Sequence, residues 1–210
     1  TGTITENKMS LAKVYSMAKK KILSAEELTD AEEKDLVELS MWASEPIPFD
    51  PMELALHDAY LKLGTRDERA AYKMIHEYPL SGKPPMMTHL FENGQGQRII
   101  AAKGAPEALI AVSALSDAER DQVLAVIKTL AADGYRILGV GEANSQGSNF
   151  PATQQEFKFA FKGLVAFYDP PKQNIKAVLR DFYNAGIDVK IITGDNAETT
   201  ASIARQIDFK

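Results

Sequence analysis

Two short motifs, far apart in the chain, place hydroxyl groups beside a glycine. The triplet Thr-Gly-Thr occupies positions 1–3, and Thr-Gly-Asp at 193–195 follows the apolar segment 187–192. A glycine lets backbone N–H groups approach a ligand closely, and a helix that begins after such a motif favours an anion at its N-terminus. The two motifs are therefore candidates for two halves of one phosphate site. The alternative for the second motif is a simple helix N-cap.

A second group of candidates surrounds a lysine. Lys103 ends an apolar segment, Gly104 follows it, and Pro106 is suited to begin a helix. An ammonium group in this place can meet an anion, and the glycine would let a ligand approach the backbone. Further along, Arg136 stands at the start of another apolar segment. The alternatives are a solvated lysine at a strand end and an ordinary surface salt bridge for Arg136.

Two acidic residues stand next to prolines. Glu53 follows Asp-Pro-Met and would occupy the third position of a helix, where a capping box places a glutamate. This residue could therefore serve the helix end, a ligand, or both. Asp169 and Lys172 flank two consecutive prolines, which fix φ and remove two backbone donors. That segment predicts a stiff hinge between two units.

Taken in order, the motifs TGTITEN, KGAPE, DPPK and TGDNAETTA resemble the cytoplasmic catalytic part of the P-type cation-transporting ATPases, the family that includes calcium pumps. The resemblance covers essentially the whole chain. It implies ATP as ligand and transfer of a phosphoryl group to an aspartate, with Mg²⁺ offsetting the phosphate charge. It also implies transmembrane and actuator domains as partners, a parent protein in the cell membrane, and a cytoplasmic position for this region.

In that family the nucleophilic aspartate stands just before Thr-Gly-Thr, so that here it would precede Thr1. The segment that binds Mg²⁺ would follow Lys210. The intact parent is therefore expected to be an ATP-hydrolysing pump. We expect the 210 residues alone to bind nucleotide without turnover.

The resemblance also implies a role for each candidate. Glu53 would accept a hydrogen bond from the adenine amino group, Lys103 and Gly104 would lie near adenine and the first phosphate, and Arg136 would contact phosphates. Asp169 would also belong to the nucleotide site, and Thr3 would be a metal ligand. The residues expected around the transferred phosphoryl group are Thr1, Thr3, Thr193, Gly194, Asp195 and Lys172.

Two positions depart from the family pattern. Leu80 stands where the family usually has a phenylalanine that stacks on adenine, and a leucine offers no aromatic face. Lys172 stands where arginine is common, and a lysine keeps the charge but lacks the planar fork for a bidentate phosphate contact.

Composition excludes several classes of protein. With 45% hydrophobic and 25% charged residues, the chain can bury a sizeable core. A net charge of −5 argues against nucleic acid as partner, and the absence of cysteine excludes disulfides. No apolar run approaches the ~20 residues that span a bilayer, so we expect a soluble piece without a membrane segment. The three histidines lack the spacing of metal ligands.

Sequence patterns predict most of the secondary structure. Strands are expected at 9–17, 86–91, 97–103, 135–140, 157–161 and 187–192. Helices are expected within 24–43, from Asp50 to Gly64, after Pro106, and at 117–133, 172–185 and 197–207. Capping boxes at Ser24 and Thr29 are the candidate starts of the first helix.

These elements predict an α+β chain built from two kinds of architecture. A nucleotide-binding domain at 8–165, with an antiparallel sheet and flanking helices, would be inserted into a partial doubly wound α/β phosphorylation domain of the haloacid-dehalogenase type at 1–7 and 166–210. Two other functions stay open at this point. One is a soluble phosphatase of the haloacid-dehalogenase type, and the other is a non-catalytic module that binds nucleotide.

Overall fold

A seven-stranded antiparallel sheet forms the centre of the computed structural model, which describes residues 2–64, 67–145, 147, 149–194 and 196–210. Its spatial order is β2-β1-β7-β6-β5-β4-β3. The strands are β1 Ser10–Ser16, β2 Lys21–Ser24, β3 Tyr72–Ser81, β4 Met86–Asn93, β5 Arg98–Gly104, β6 Arg136–Ala143 and β7 Ala160–Tyr168. The expected antiparallel sheet with flanking helices is confirmed.

Helices cover both faces of this sheet. They are α1 Ala31–Trp42, α2 Pro51–Lys62, α3 Pro106–Ala111, α4 Asp117–Ala132, α5 Ile175–Asn184 and α6 Ala197–Gln206. The helices α1 and α2 pack on one face, and α3 and α4 pack on the other. None of the helices in the described ranges is long and apolar enough to cross a membrane.

The side chains of the central strands alternate between the two faces of the sheet and so contribute to two layers of the core. Val14 and Val165 face α1 and α2, whereas their neighbours Tyr15 and Leu164 face the layer of α3 and α4. Successive side chains of a strand point to opposite faces, so that two apolar layers need nearly continuous apolar strands. This explains why β7 has five successive buried residues, from Gly163 to Phe167.

Local signals locate the second helix correctly. The Asp50 side chain accepts a hydrogen bond from Met52 N at 2.8 Å, and Pro51 occupies the first turn. The helix ends at Lys62, and Gly64 adopts a positive φ of 68° just beyond it. Asp50 therefore satisfies a free N–H of the helix start, and glycine supplies the left-handed conformation that ends it.

The first helix begins later than either predicted capping box. Asp30 is its N-cap, and Glu33 completes a capping box with it. Ser24 instead ends β2, where it pairs with Lys13 of β1, and Thr29 donates its N–H to Glu33 at 2.9 Å. The predictions at Ser24 and Thr29 were wrong because strand pairing and the neighbouring Asp30 both compete for this segment.

The apolar segment 187–192 forms no strand in the structure, which corrects the prediction of a strand at this point. Ile192 is 97% exposed. A parallel strand needs a neighbour to accept its hydrogen bonds, and none of the seven strands in the described ranges pairs with this segment. The flanking helices α5 and α6 form as expected.

The two segments that lead into and out of the sheet are fastened to each other. Thr5 Oγ1 donates to Asp169 Oδ2 at 2.7 Å, Lys172 N donates to Ile4 O at 2.9 Å, and Glu6 N donates to Pro170 O at 2.9 Å. These contacts lie beyond the pairing of Ser10 with Tyr168 that begins the β1–β7 ladder. Residues 2–8 and 169–172 are therefore hydrogen-bonded to each other, and we call this pair of segments the junction.

Gly163 allows an unusually close approach of two strands. Its φ is 155°, and a Cβ added there would lie 2.0 Å from the Tyr15 carbonyl oxygen and 2.9 Å from Leu36 Cδ2. The pairing of β6 with β7 is irregular beside it, since Val140 pairs with Gly163 but Gly141 pairs with Phe161. The glycine thus accommodates a β-bulge that β1 packs against.

We expect Gly163→Ala to lower the free energy of unfolding by about 2–5 kcal/mol, because overpacking and backbone strain add. Urea denaturation followed by circular dichroism measures the change. Gly94→Ala is the matched control, since a Cβ at Gly94 meets nothing within 4 Å and should change stability by less than ~0.5 kcal/mol. Equal stability of the two variants would contradict the tight approach at Gly163.

Candidate functional site

A cavity of about 710 Å³ opens at the end of the sheet where β5 turns into α3. The first turn of α2, the ends of β4, β5 and β6, and the start of α6 surround it. Its described lining residues are Glu45, Phe49, Asp50, Met52, Glu53, Leu80, Pro85, Met87, Lys103, Gly104, Ala105, Pro106, Glu107, Ile127, Arg136, Ile137, Leu138, Gly194, Asn196 and Thr199. This cavity is called the sheet-end pocket below.

Lys103 lies in the floor of the pocket and is only 4% exposed. Its Nζ donates to Glu53 Oε1 at 2.6 Å, to Ala43 O at 2.8 Å and to Ser44 Oγ at 2.9 Å. An ammonium group has three N–H donors, so these three acceptors satisfy it completely. Lys103 is therefore bound to the protein's own acceptors, and it joins β5 to α2 and to the connection after α1.

Burial sets the electrostatics of this cluster. Removal of Lys103 from water lowers the pKa of its ammonium group, and the Glu53 carboxylate opposes that effect. The pKa of His89 is lowered as well, first by burial and then by the charge of Lys103. Glu53 Oε1 also accepts from Glu45 N at 3.3 Å, so that one carboxylate oxygen binds both the lysine and the loop beside it.

Gly104 is required by the packing of two strands. A Cβ at this position would lie 2.5 Å from Met86 Cα and 2.5 Å from Pro85 O. The next residue, Ala105, donates its N–H to Pro85 O at 2.9 Å. The side of Gly104 that was expected to admit a ligand is thus filled by the start of β4, although the residue still lines the pocket.

The structure brings several of the predicted nucleotide-binding residues to one cavity. Glu53, Leu80, Lys103, Gly104 and Arg136 all line it. Their separation along the chain is large, and β-sheet pairing joins them: Lys103 pairs with Met87 and with Val140, and β6 begins at Arg136. Leu80 is 63% exposed and offers an apolar face without an aromatic ring.

The residues expected around the phosphoryl group are not collected in this cavity. Gly194 lines it, but Thr3, Thr193 and Lys172 do not. Lys172 Nζ donates to Gly2 O at 2.7 Å in the junction. Thr1 and Asp195 lie outside the described residues.

Asp169 has structural partners within the junction. Besides the hydroxyl of Thr5, its carboxylate accepts from Lys8 N at 3.1 Å. The residue is buried and does not line the pocket. Its contacts close the connection between the two segments that flank the sheet.

Phe49 is among the pocket residues that the sequence did not indicate. Phe49 lines the cavity and is 83% exposed, so its ring is nearly unpacked. Its ring therefore leaves an aromatic face on the wall of the cavity. The sequence signal was present, because an aromatic residue stands directly before the Asp50 cap, but its direction depends on the path of the loop between α1 and α2.

The segment after the pocket packs back on the sheet's helices. Thr199 Oγ1 in α6 donates to Tyr135 O at 3.0 Å, and a Cβ at Gly134 would lie 3.2 Å from Ser202 Oγ. The side chain of Asn196 caps α6 by accepting from Glu198 N at 2.8 Å. The start of this helix therefore forms the wall of the pocket on the side of Arg136.

This chain is similar in sequence to known proteins of one family. Residues 47–174 match the family described as "P-type ATPase, cytoplasmic domain N". The sodium/potassium exporting P-type ATPase cta3 of Schizosaccharomyces pombe is 31% identical over 75% of this chain and 16% of its own length. A calcium-transporting ATPase of Bacillus subtilis is 27% identical over 99% of this chain and 28% of its own length.

A calcium-transporting ATPase of Saccharomyces cerevisiae is 25% identical over 75% of this chain and 18% of its own length. The chain thus spans less than a third of each of these three relatives.

The buried pair of Lys103 and Glu53 should couple strongly in stability. Lys103→Met leaves a buried carboxylate without its partner, and we expect a loss of about 3–5 kcal/mol in the free energy of unfolding. Glu53→Met likewise leaves the buried ammonium group of Lys103 without its partner. The double variant Lys103→Met/Glu53→Met should lose clearly less than the sum, because it removes both charges.

Urea denaturation of the four proteins gives this double-mutant cycle. The matched control is Lys162→Met, which breaks the half-exposed bridge of Lys162 to Glu142 and should cost less than ~1 kcal/mol. Additive losses in the cycle would show that the two buried side chains act independently.

Proposed function

Because the chain belongs to the P-type cation ATPases, we propose that it is the nucleotide-binding part of an ATP-driven cation pump. The observation that carries this proposal is the sheet-end pocket, where Glu53, Lys103 and Arg136 meet apolar side chains. A cavity of about 710 Å³ falls within the range of about 300–1,000 Å³ typical of small-molecule sites.

The pocket has the separate surfaces that ATP requires. Phe49, Leu80 and Met87 supply an apolar wall for adenine, and Arg136 supplies a cation for phosphate. Glu53 is positioned by Lys103, so that its second carboxylate oxygen can face the adenine amino group. In this proposal Lys103 acts chiefly by holding Glu53 and the loop at 43–45 in place.

Phe49 is the residue we propose to stack on adenine. It takes the role that Leu80 cannot fill, since a base needs an aromatic face and Phe49 presents one on the wall of the cavity. Both side chains line the same pocket, so that they can hold the base between them.

Charge in the pocket favours a nucleotide that carries Mg²⁺. Glu45, Asp50 and Glu107 line the cavity in addition to the paired Glu53, and so does Arg136. Mg²⁺ bound to ATP offsets phosphate charge in this class of reaction. Thr3, the metal ligand implied by the resemblance, is exposed and lies outside the pocket, so we assign no metal ligand of this chain to the nucleotide-bound ion.

For the parent protein we propose phosphoryl transfer to an aspartate that precedes Thr1. Thr1, Thr3, Lys172, Thr193, Gly194 and Asp195 would then belong to a haloacid-dehalogenase-like phosphorylation domain formed by 1–7 and 166–210. The nucleotide-binding domain at 8–165 would deliver ATP to it. Calcium is the transported ion we propose, since it is named for two of the three relatives described above.

Phe49→Ala should weaken binding of ADP and of ATP with Mg²⁺ by about 5- to 150-fold, because a base–aromatic stack contributes ~1–3 kcal/mol. Isothermal titration calorimetry measures both affinities. Phe182→Ala, which removes a partly exposed phenylalanine of α5 outside the pocket, is the matched control and should leave them unchanged. Equal affinities in the two variants would remove Phe49 from the site.

Leu80→Phe should strengthen nucleotide binding several-fold by adding a second aromatic face. In the Phe49→Ala background the same substitution should recover much of the lost affinity, because either ring can then stack on the base. The four proteins are compared by the same titration. A Leu80→Phe variant with unchanged affinity in both backgrounds would place adenine away from this wall.

A further inference from the structure

Three side chains near the pocket converge on one point from distant parts of the chain. Glu45, Glu77 and His89 each offer a ligand atom, and these atoms lie within 4.8 Å of one another. Glu77 and His89 are directly opposed in the pairing of β3 with β4, so their side chains share one face of the sheet. Glu45 belongs to the connection between α1 and α2 that covers this face.

The imidazole of His89 is held firmly in one orientation. The side chain is fully buried, and Nδ1 lies 3.0 Å from the carbonyl oxygen of Ser44. A carbonyl oxygen only accepts, so Nδ1 carries the hydrogen and donates it. Fixing one ring nitrogen on a backbone carbonyl in this way is what orients metal-binding histidines and leaves the other nitrogen as the ligand.

The second nitrogen of this ring lacks a hydrogen-bond partner. His89 Nε2 is buried, and no group in the described part of the chain hydrogen-bonds to it. The nearest carboxylate oxygen, Glu45 Oε1, is 3.9 Å away, beyond hydrogen-bond distance. The lone pair on His89 Nε2 and the carboxylates of Glu45 and Glu77 therefore lie near one another without a shared partner. Each of the three groups can donate an electron pair to a cation.

We propose that Glu45, Glu77 and His89 form a binding site for a divalent transition metal ion, with Zn²⁺ as the best fit. Imidazole nitrogen and carboxylate oxygen are both ligands that Zn²⁺ accepts, whereas Mg²⁺ and Ca²⁺ favour oxygen ligands alone. The site adjoins the nucleotide site, because Glu45 also lines the sheet-end pocket, whereas Glu77 and His89 do not.

The three ligand atoms need to move only slightly closer together to bind one ion. Ligand atoms around a tetrahedral Zn²⁺ lie roughly 3.3 Å apart, as follows from bonds of about 2.0 Å. Glu77 is exposed and Glu45 is partly exposed, so their side chains can turn toward the fixed His89 nitrogen without disturbing the core. The exposed side of the cluster leaves room for water as a fourth ligand.

Sequence spacing alone could not find this site. Its ligands are 12 or more positions apart, with Glu45 and Glu77 on different elements from His89, and the pairing of β3 with β4 brings two of them together. The proposal departs from the expectation, drawn from the spacing of the histidines, that none of them is a metal ligand.

The test is titration of Zn²⁺ into the chain, without a polyhistidine tag, by calorimetry in a buffer that does not chelate metals. We expect one Zn²⁺ per chain and a thermal unfolding midpoint that rises with Zn²⁺ concentration. Glu77→Gln and Glu45→Gln should each weaken binding at least about tenfold. Glu27→Gln, an exposed glutamate outside the cluster, is the control and should bind normally.

NMR of the imidazole nitrogens supplies a readout for the buried ligand itself. Zn²⁺ should shift the His89 Nε2 resonance and leave that of His76 unchanged. His89→Gln should abolish the binding, and the two glutamate variants keep the test decisive if this buried substitution prevents folding. Zn²⁺ binding that is equal in Glu77→Gln, Glu45→Gln and Glu27→Gln, or a His89 ring that is doubly protonated at neutral pH and silent to Zn²⁺, would overturn the proposal.

Discussion

A single buried ammonium group connects the parts of this molecule that must stay in register around the pocket. Lys103 is at the end of a central strand, Glu53 is in the first turn of α2, and Ala43 and Ser44 lie just after α1. A charge removed from water must be fully compensated, which makes this arrangement intolerant of small displacements. The position of the covering helices on the sheet is therefore coupled to the shape of the cavity floor.

The pocket combines a rigid floor with a soft wall. Its floor consists of strand ends that are fixed by sheet hydrogen bonds and by the close packing of β4 against Gly104, which has no side chain. Its wall includes Phe49 and Leu80, which are largely exposed and free to adjust. This combination suits a flat ligand with a polar edge. Fixed groups in the floor can hydrogen-bond to the edge, and the exposed side chains of the wall can pack on the apolar faces.

Local chemistry decided what could be predicted from the sequence. The start of α2 followed from Asp50 and Pro51, and the hairpin of β4 and β5 followed from its turn residues, because these signals act within a few positions. The ion pair of Lys103 with Glu53 spans 50 positions and was not predicted, since the resemblance gave both side chains roles toward the nucleotide. The segment 187–192 carries a strand pattern, but a strand forms only beside a neighbour, which local sequence does not contain.

The junction has a mechanical consequence. Residues 2–8 and 169–172 leave the sheet side by side, at the same end of the antiparallel strands β1 and β7. A force that pulls the two segments apart would act perpendicular to β1 and β7, so that the hydrogen bonds between them break one after another. The bonds of Lys172 to Gly2 and Ile4 would take the force first, the Thr5–Asp169 bond would follow, and the pairs along β1 would come last. Tension applied there would detach the paired strands β1 and β2 from β7, leaving the cavity at the end of β5 among the last parts to feel it.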